Sequence, residues 1–128
     1  MTKEQKELVL KDLCARLSRG VHVEISWEYS KTDVHTSSEY YEFPNIDSLL
    51  NIFWDEKCVS IRPYLRPTTS MTDEEAMEYL GMLNDIDKSG LMNQNFITKV
   101  VDWLDKKIFD HRGLLPKGLA LEATEGMY

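Results

Sequence analysis

The chain has 128 residues, 42% hydrophobic and 29% charged, which is the composition of one folded domain and not of a disordered segment. A net charge of −7 repels nucleic-acid backbones at long range, which weighs against whole-surface nucleic-acid binding and leaves room only for a local basic groove. Two cysteines, with no CxxC pair and no Cys/His cluster, argue against zinc and against a disulfide scaffold.

The opening MTKEQKELVLKDL is too charged for a signal-peptide apolar region. No apolar run approaches the roughly 20 residues that span a bilayer. The expectation is a soluble, cytoplasmic, single-domain protein with no membrane partner. A first helix is predicted over 3–18. Thr2 and Gln5 have the spacing of a capping box, and Leu10, Leu13, Cys14 and Leu17 form an apolar stripe, with Asp12 among the charged residues off it. Gly20 supplies the left-handed residue that ends it.

In VHVEISWEYS, Val21, Val23, Ile25, Trp27 and Tyr29 alternate with polar residues, the pattern of a half-buried strand. A polar connection over 30–38 turns the chain back, and EYYEF (39–43) reads as a second strand. SLLNIFW (48–54) fits a buried strand or a short helix equally. In CVSIRPYLRP (58–67) the prolines forbid a central strand or a helix interior. The region 21–66 thus reads as a small antiparallel sheet or a partly closed small barrel. Thr72 and Glu75 form a second capping box and open a helix over about 73–84, with Ala76, Tyr79, Leu80 and Leu83 inward. A further helix is expected over 93–110, with Ile97, Val100, Val101, Leu104 and Ile108 inward and Gly113 ending it. The tail 111–128 is expected to be ordered. Asp110, His111 and Arg112 set a turn, and Leu114, Leu115, Leu119 and Leu121 fold back over the body. The class is α+β.

Few motifs carry chemistry. DIDKSGLMNQNF (85–96) imitates a calcium loop through Asp85, Asp87, Ser89 and Gly90, but its twelfth position is Phe96 where calcium needs a bidentate Glu. The bland reading, a helix-to-helix turn, is preferred. The glycines are too scattered for a phosphate loop, and no nucleophile stands beside His22, His35 or His111 in a known motif. No catalytic residue, cofactor or metal is assigned. His22 is expected to be exposed. Two features remain as binding candidates. Lys57, Arg62 and Arg66 with Tyr64 make a basic strip in an acidic chain, suited to phosphates or, more plainly, to covering the core with arginine stems. Trp27, Tyr29, Tyr40, Tyr41 and Trp54 concentrate in the sheet region, where aromatics serve as core, as cross-strand partners or as a binding platform. Tyr40 and Tyr41 point to opposite faces of a regular strand, so one of them is the surface candidate.

Three segments carry a resemblance: MTKEQKELVLKDLCARL, RPYLRPTTSMTDEE and DWLDKKIFDHRGLLPKGLALEATEGMY. They resemble a family of small proteins of Bacteroides-group gut bacteria and their phages, for which no activity is established. The resemblance covers roughly half the chain. It implies an accessory protein of bacterial or phage origin, and brings no catalytic residue or cofactor. The segment 21–57 lies outside it and reads as the variable part. The leading expectation is a non-enzymatic interaction module that binds a protein partner through 21–57. The alternatives are a nucleic-acid-binding small barrel using residues 57–66, and a small enzyme with a dispersed site.

Overall fold

The computed structural model describes residues 1–16, 19–41, 46–89 and 94–128, with side chains for all of these except 46, 85–89 and 94–96. The elements in chain order are α1 (Lys3–Arg16), β1 (Val21–Ser30), β2 (Asp33–Tyr41), α2 (Ile46–Phe53), β3 (Cys58–Leu65), α3 (Asp73–Ser89), α4 (Gln94–Lys106) and β4 (Leu121–Glu122). A 3-10 turn, Thr68–Ser70, precedes α3. The fold is α+β. The sheet runs β2-β1-β3-β4 and stays open, so the barrel alternative is not the one adopted. It is mixed, because the tail adds β4 parallel to β3 through Tyr64 and Leu65.

Strand β1 follows its alternation, with Val21, Val23 and Ile25 fully buried on the inner face. Two expectations about its neighbours are corrected. The polar segment 30–38 is not a connection: β2 begins at Asp33 and pairs with β1 from Ser30↔Asp33 to Val21↔Tyr41, leaving only residues 31–32 as the turn. Cross-strand hydrogen bonding does not require an apolar side chain, so a polar strand at a sheet edge carries little pattern. The segment 58–65 is an interior strand despite Pro63, which faces Val23. Pairing with β4 starts only at Tyr64, so on that side the missing Pro63 N–H leaves no ladder bond unmade. The ambiguous 48–54 resolves as helix α2, burying Leu49 and Phe53.

Both capping boxes form. Gln5 N–H donates to Thr2 Oγ1 (3.1 Å) while Thr2 N–H donates to Gln5 Oε1 (2.8 Å), and Thr72 and Glu75 repeat the exchange at 3.2 and 3.0 Å. The buried faces differ from the stripes. On α1 the inward residues are Val9, Asp12, Leu13 and Arg16, with Cys14 exposed and Leu10 half-buried. On α3, Glu75 is buried and Leu80 is 57% exposed. On α4, Ile97 is 42% exposed and Leu104 is buried. Helix α4 stops at Lys106, well before Gly113. Ile108 takes the left-handed cap position at φ 63°, closed by Ile108 N–H to Asp105 O (3.1 Å) and Phe109 N–H to Leu104 O (2.9 Å). A β-branched residue there is strained. It is held because Ile108 and Phe109 are buried at 4% and 0% exposure.

One core joins these parts. Val9 and Leu13 of α1, Leu49 and Phe53 of α2 and the inner sheet residues pack with Ile108, Leu114, Leu119 and Ala120 of the C-terminal segment. The tail is therefore docked. Asp110 organises its turn by accepting the N–H groups of Leu114 (2.8 Å) and Leu115 (2.9 Å). Leu115 is partly buried against the core, and Ala123 N–H continues the pairing to Leu65 O at 2.8 Å.

Candidate interaction surface

Burial along β1 ends where the hairpin leaves the core. Beyond Ile25, Trp27 is half-buried and residues 28–30 are exposed, as are residues 33–36 of β2. On the face of this hairpin continuous with the core, Trp27 and Tyr29 stack at 6.4 Å between centroids and 14°. His35, the cross-strand partner of Trp27, meets Tyr29 edge-on at 5.7 Å. Lys57 Nζ lies 5.4 Å from the Tyr29 ring centre, brought there by the bond from Glu28 N–H to Lys57 O (2.8 Å). Tyr29 remains 51% exposed, and Trp54, three residues before Lys57, is 55% exposed. Trp27, Tyr29, His35 and Lys57 thus form a row of side chains that support one another, rooted in the core at Trp27 and exposed beyond it.

The other aromatic candidates make contacts within the fold. Tyr41 is buried at 7% and its hydroxyl donates to Glu39; burial first, then that carboxylate, pushes the phenol above its usual range. Tyr40 is the surface member of the pair at 48% exposure, on the opposite face. Its ring lies 4.8 Å from that of His22 and its hydroxyl donates to Arg19 O. A Cβ at Gly20 would stand 1.6 Å from that hydroxyl, so Gly20 is required by Tyr40 as well as by its φ of 89°. His22 is not exposed as expected but half-buried, flanked by Tyr40 and Tyr128. The Tyr128 hydroxyl accepts the His22 N–H and donates to Tyr64 O, both at 2.8 Å, so the chain's last residue bridges β1 and β3. The Tyr64 hydroxyl in turn lies 3.1 Å from Ser38 Oγ.

The arginines of the basic strip are neutralised within the molecule. Arg62 pairs with Glu24 across β1 and β3 at 2.5 Å. Arg66 makes a bidentate pair with Glu75 (2.7 and 2.9 Å) at the start of α3 and lies 4.3 Å over the Phe109 ring. The Arg66 hydrogen bonds hold the Glu75 carboxyl down at about 2, against a burial effect that works upward. Arg62 thus ties β3 to β1, and Arg66 ties the sheet to α3 and covers Phe109, which leaves Lys57 as the strip's cation on the hairpin face.

A buried charge cluster went unread in the sequence. Asp12 and Arg16, one helical turn apart on α1, form a two-point pair at 2.8 and 3.0 Å with side chains of 0% exposure. Arg16 also donates to Phe109 O (2.7 Å). Arg112 bridges Asp12 and Asp105 (2.8 Å each), and His111 Nε2 lies 2.8 Å from Asp105 Oδ1. Burial alone would raise the Asp105 carboxyl, but the bonds from His111 and Arg112 and the nearby arginine charges bring it down to about 2. This cluster locks α1, α4 and the Asp110-His111-Arg112 turn together. Its spacing signal was the Asp12/Arg16 pair, four residues apart. Such pairs ordinarily face water, so nothing local marks this one as interior.

His111 also lines a cavity of about 530 Å³ with Thr68, Tyr79, Leu104 and Asp110. Its Asp105 partner is held on both oxygens by Arg112, and neither cysteine reaches the cavity: Cys14 is exposed on α1 and Cys58 is buried in the sheet. The arrangement fits a latch better than a general base. Among the described residues, no group of three or more His, Cys, Asp or Glu side chains could hold a metal ion, and no helix is long and apolar enough to cross a membrane. The calcium-like spacing at 85–96 lies outside the residues whose side chains are described. In comparisons with known proteins, no family model, curated protein or solved structure matches this chain.

Proposed function

We propose that this protein is a non-enzymatic interaction module, an accessory protein of bacterial or phage origin, which binds a protein partner through the β1–β2 hairpin within 21–57. The supporting observation is the row of the half-buried Trp27 with the exposed Tyr29, His35 and Lys57. Large aromatic side chains on a rigid strand pair lose little entropy when they are covered, and they are the residues that dominate protein–protein interfaces. Tyr29 is the anchor in this reading, and Lys57 gives the patch a positive edge. The charge pairs of Arg62 and Arg66 favour a protein partner over a nucleic acid, because the guanidinium groups that would hold phosphates already hold carboxylates.

The test is capture of protein from nuclease-treated extract by immobilised wild type and by the Trp27→Ser/Tyr29→Ser variant, followed by quantitative mass spectrometry. A protein retained by the wild type and lost by the variant is expected. Equal capture by both proteins would remove the hairpin from consideration, and recovery of nucleic acid from untreated extract would restore the basic-strip alternative.

A further inference from the structure

Among the described residues, strand β2 is hydrogen-bonded on one side only, to β1, and its other backbone edge has no strand beside it. Proteins usually blunt such an edge with lysine, proline, a bulge or a covering element. The sequence of β2, DVHTSSEYY, contains neither lysine nor proline. Its pairing with β1 runs without a register shift from Val34 to Tyr41. The edge is thus long and regular.

We infer that β2 pairs with β2 of a second copy, antiparallel and centred on Ser37, making one continuous sheet across a two-fold axis. This goes beyond the proposed function, since it uses the backbone edge of the hairpin and shares only His35 with its aromatic face. The argument is the self-complementarity of the strand. Side chains facing each other across a two-fold normal to the sheet must lie on the same face, so a residue near the centre meets its own copy and its neighbours pair symmetrically about it. With Ser37 on the axis, His35 falls opposite Glu39, Thr36 opposite Ser38 and Val34 opposite Tyr40, and each pair occurs twice.

All three contacts are favourable in kind: an imidazole with a carboxylate, two hydroxyls, and an aliphatic with an aromatic. The atoms needed are at hand. His35 Nε2 lies 2.7 Å from Asp33 Oδ1, which leaves Nδ1 as its other hydrogen-bonding atom. Glu39 takes the Tyr41 hydroxyl on Oε2, which leaves Oε1. Val34 and Tyr40 are 56% and 48% exposed in the single chain, so their pairing removes apolar surface from water. The two-fold keeps both aromatic rows on one side of the joined sheet, and a dimer would offer a partner two copies of the hairpin face.

Sedimentation equilibrium of the whole chain, over a wide concentration range in roughly 0.15 M salt, tests this. A monomer–dimer equilibrium is expected for the wild type. His35→Glu sets carboxylate against carboxylate twice and should weaken association by about tenfold or more. The exchanged variant His35→Glu/Glu39→His restores the opposition of unlike groups and should recover most of it. Far-UV circular dichroism checks that each variant folds. Lys57→Ser, which alters the hairpin face without touching β2, should leave the dimer constant unchanged, which separates this inference from the partner-binding reading. A wild type that stays monomeric throughout, or a His35→Glu variant that dimerises as tightly as the wild type, overturns the pairing. Failure of the exchanged variant to recover overturns the Ser37 register.

Discussion

Arg16 is a guanidinium at 1% exposure inside a chain whose surplus charge is negative. Withdrawing it from water is costly and is offset by its partners, Asp12, the Phe109 carbonyl and, at 3.8 Å, Asp105, while Arg112 shares Asp12 Oδ1 with it. Removing one partner therefore costs more than removing the pair. Asp12→Ala should lower stability by about 3–5 kcal/mol, read as a fall in the urea midpoint, because it takes from the buried Arg16 its two-point carboxylate partner and from Arg112 one of its two carboxylates. The double variant Asp12→Leu/Arg16→Met, which replaces charge by apolar volume, should regain much of that loss. If Asp12→Ala is nearly neutral, the cluster does not hold the helix to the tail. The residues that do this work were visible as letters, but their burial was not. A salt bridge at helical spacing looks the same from the sequence whether it faces water or the core.

At the scale of elements, local interactions were legible and packing was not. The two capping boxes join residues three apart, so the pattern contains the whole interaction. The alternation in β1 is likewise complete in itself. The inward faces of α1, α3 and α4 depend on what lies across from them, and there the apolar stripes misled: Leu80 faces water while Glu75 is buried by its pairing with Arg66. The end of α4 shows the same limit. A glycine stop at 113 was the local expectation, yet tertiary burial of Ile108 and Phe109 imposes a left-handed isoleucine seven residues after Val101. Docking of the tail hinges on the Asp110 turn. Asp110→Ala leaves the Leu114 and Leu115 N–H groups without their acceptor, at a cost of about 1–3 kcal/mol. Hydrogen exchange should then accelerate at Leu114, Leu119 and Ala123 ahead of β1 and β3. Uniform acceleration across the chain would mean that the tail is not a separable unit.

Across the whole molecule, stability should depend on two carboxylates that bind the C-terminal half to the rest. Glu75 and Asp105 both titrate near 2 in the folded chain, against roughly 4 when unfolded. Because their folded values are depressed, the stability they contribute is complete above about pH 5 and is lost as pH falls from 4 through 2. Thermal melting followed over that range should show a progressive drop, smaller in Glu75→Gln than in the wild type. A melting temperature that is flat down to pH 2 would contradict the paired geometry. The sequence by itself determined the α+β class, the cap positions, the first strand and the docking of an apolar tail, because each rests on short-range spacing or on the need to bury leucines. Only the tertiary structure decided that Pro63 sits in an interior strand, that a polar segment forms the sheet edge, that Asp12 and Arg16 are interior, and that Trp27, Tyr29, His35 and Lys57 come together in one row at the end of the hairpin. Each of these depends on which distant segment supplies the missing hydrogen bond, the opposite charge or the covering surface.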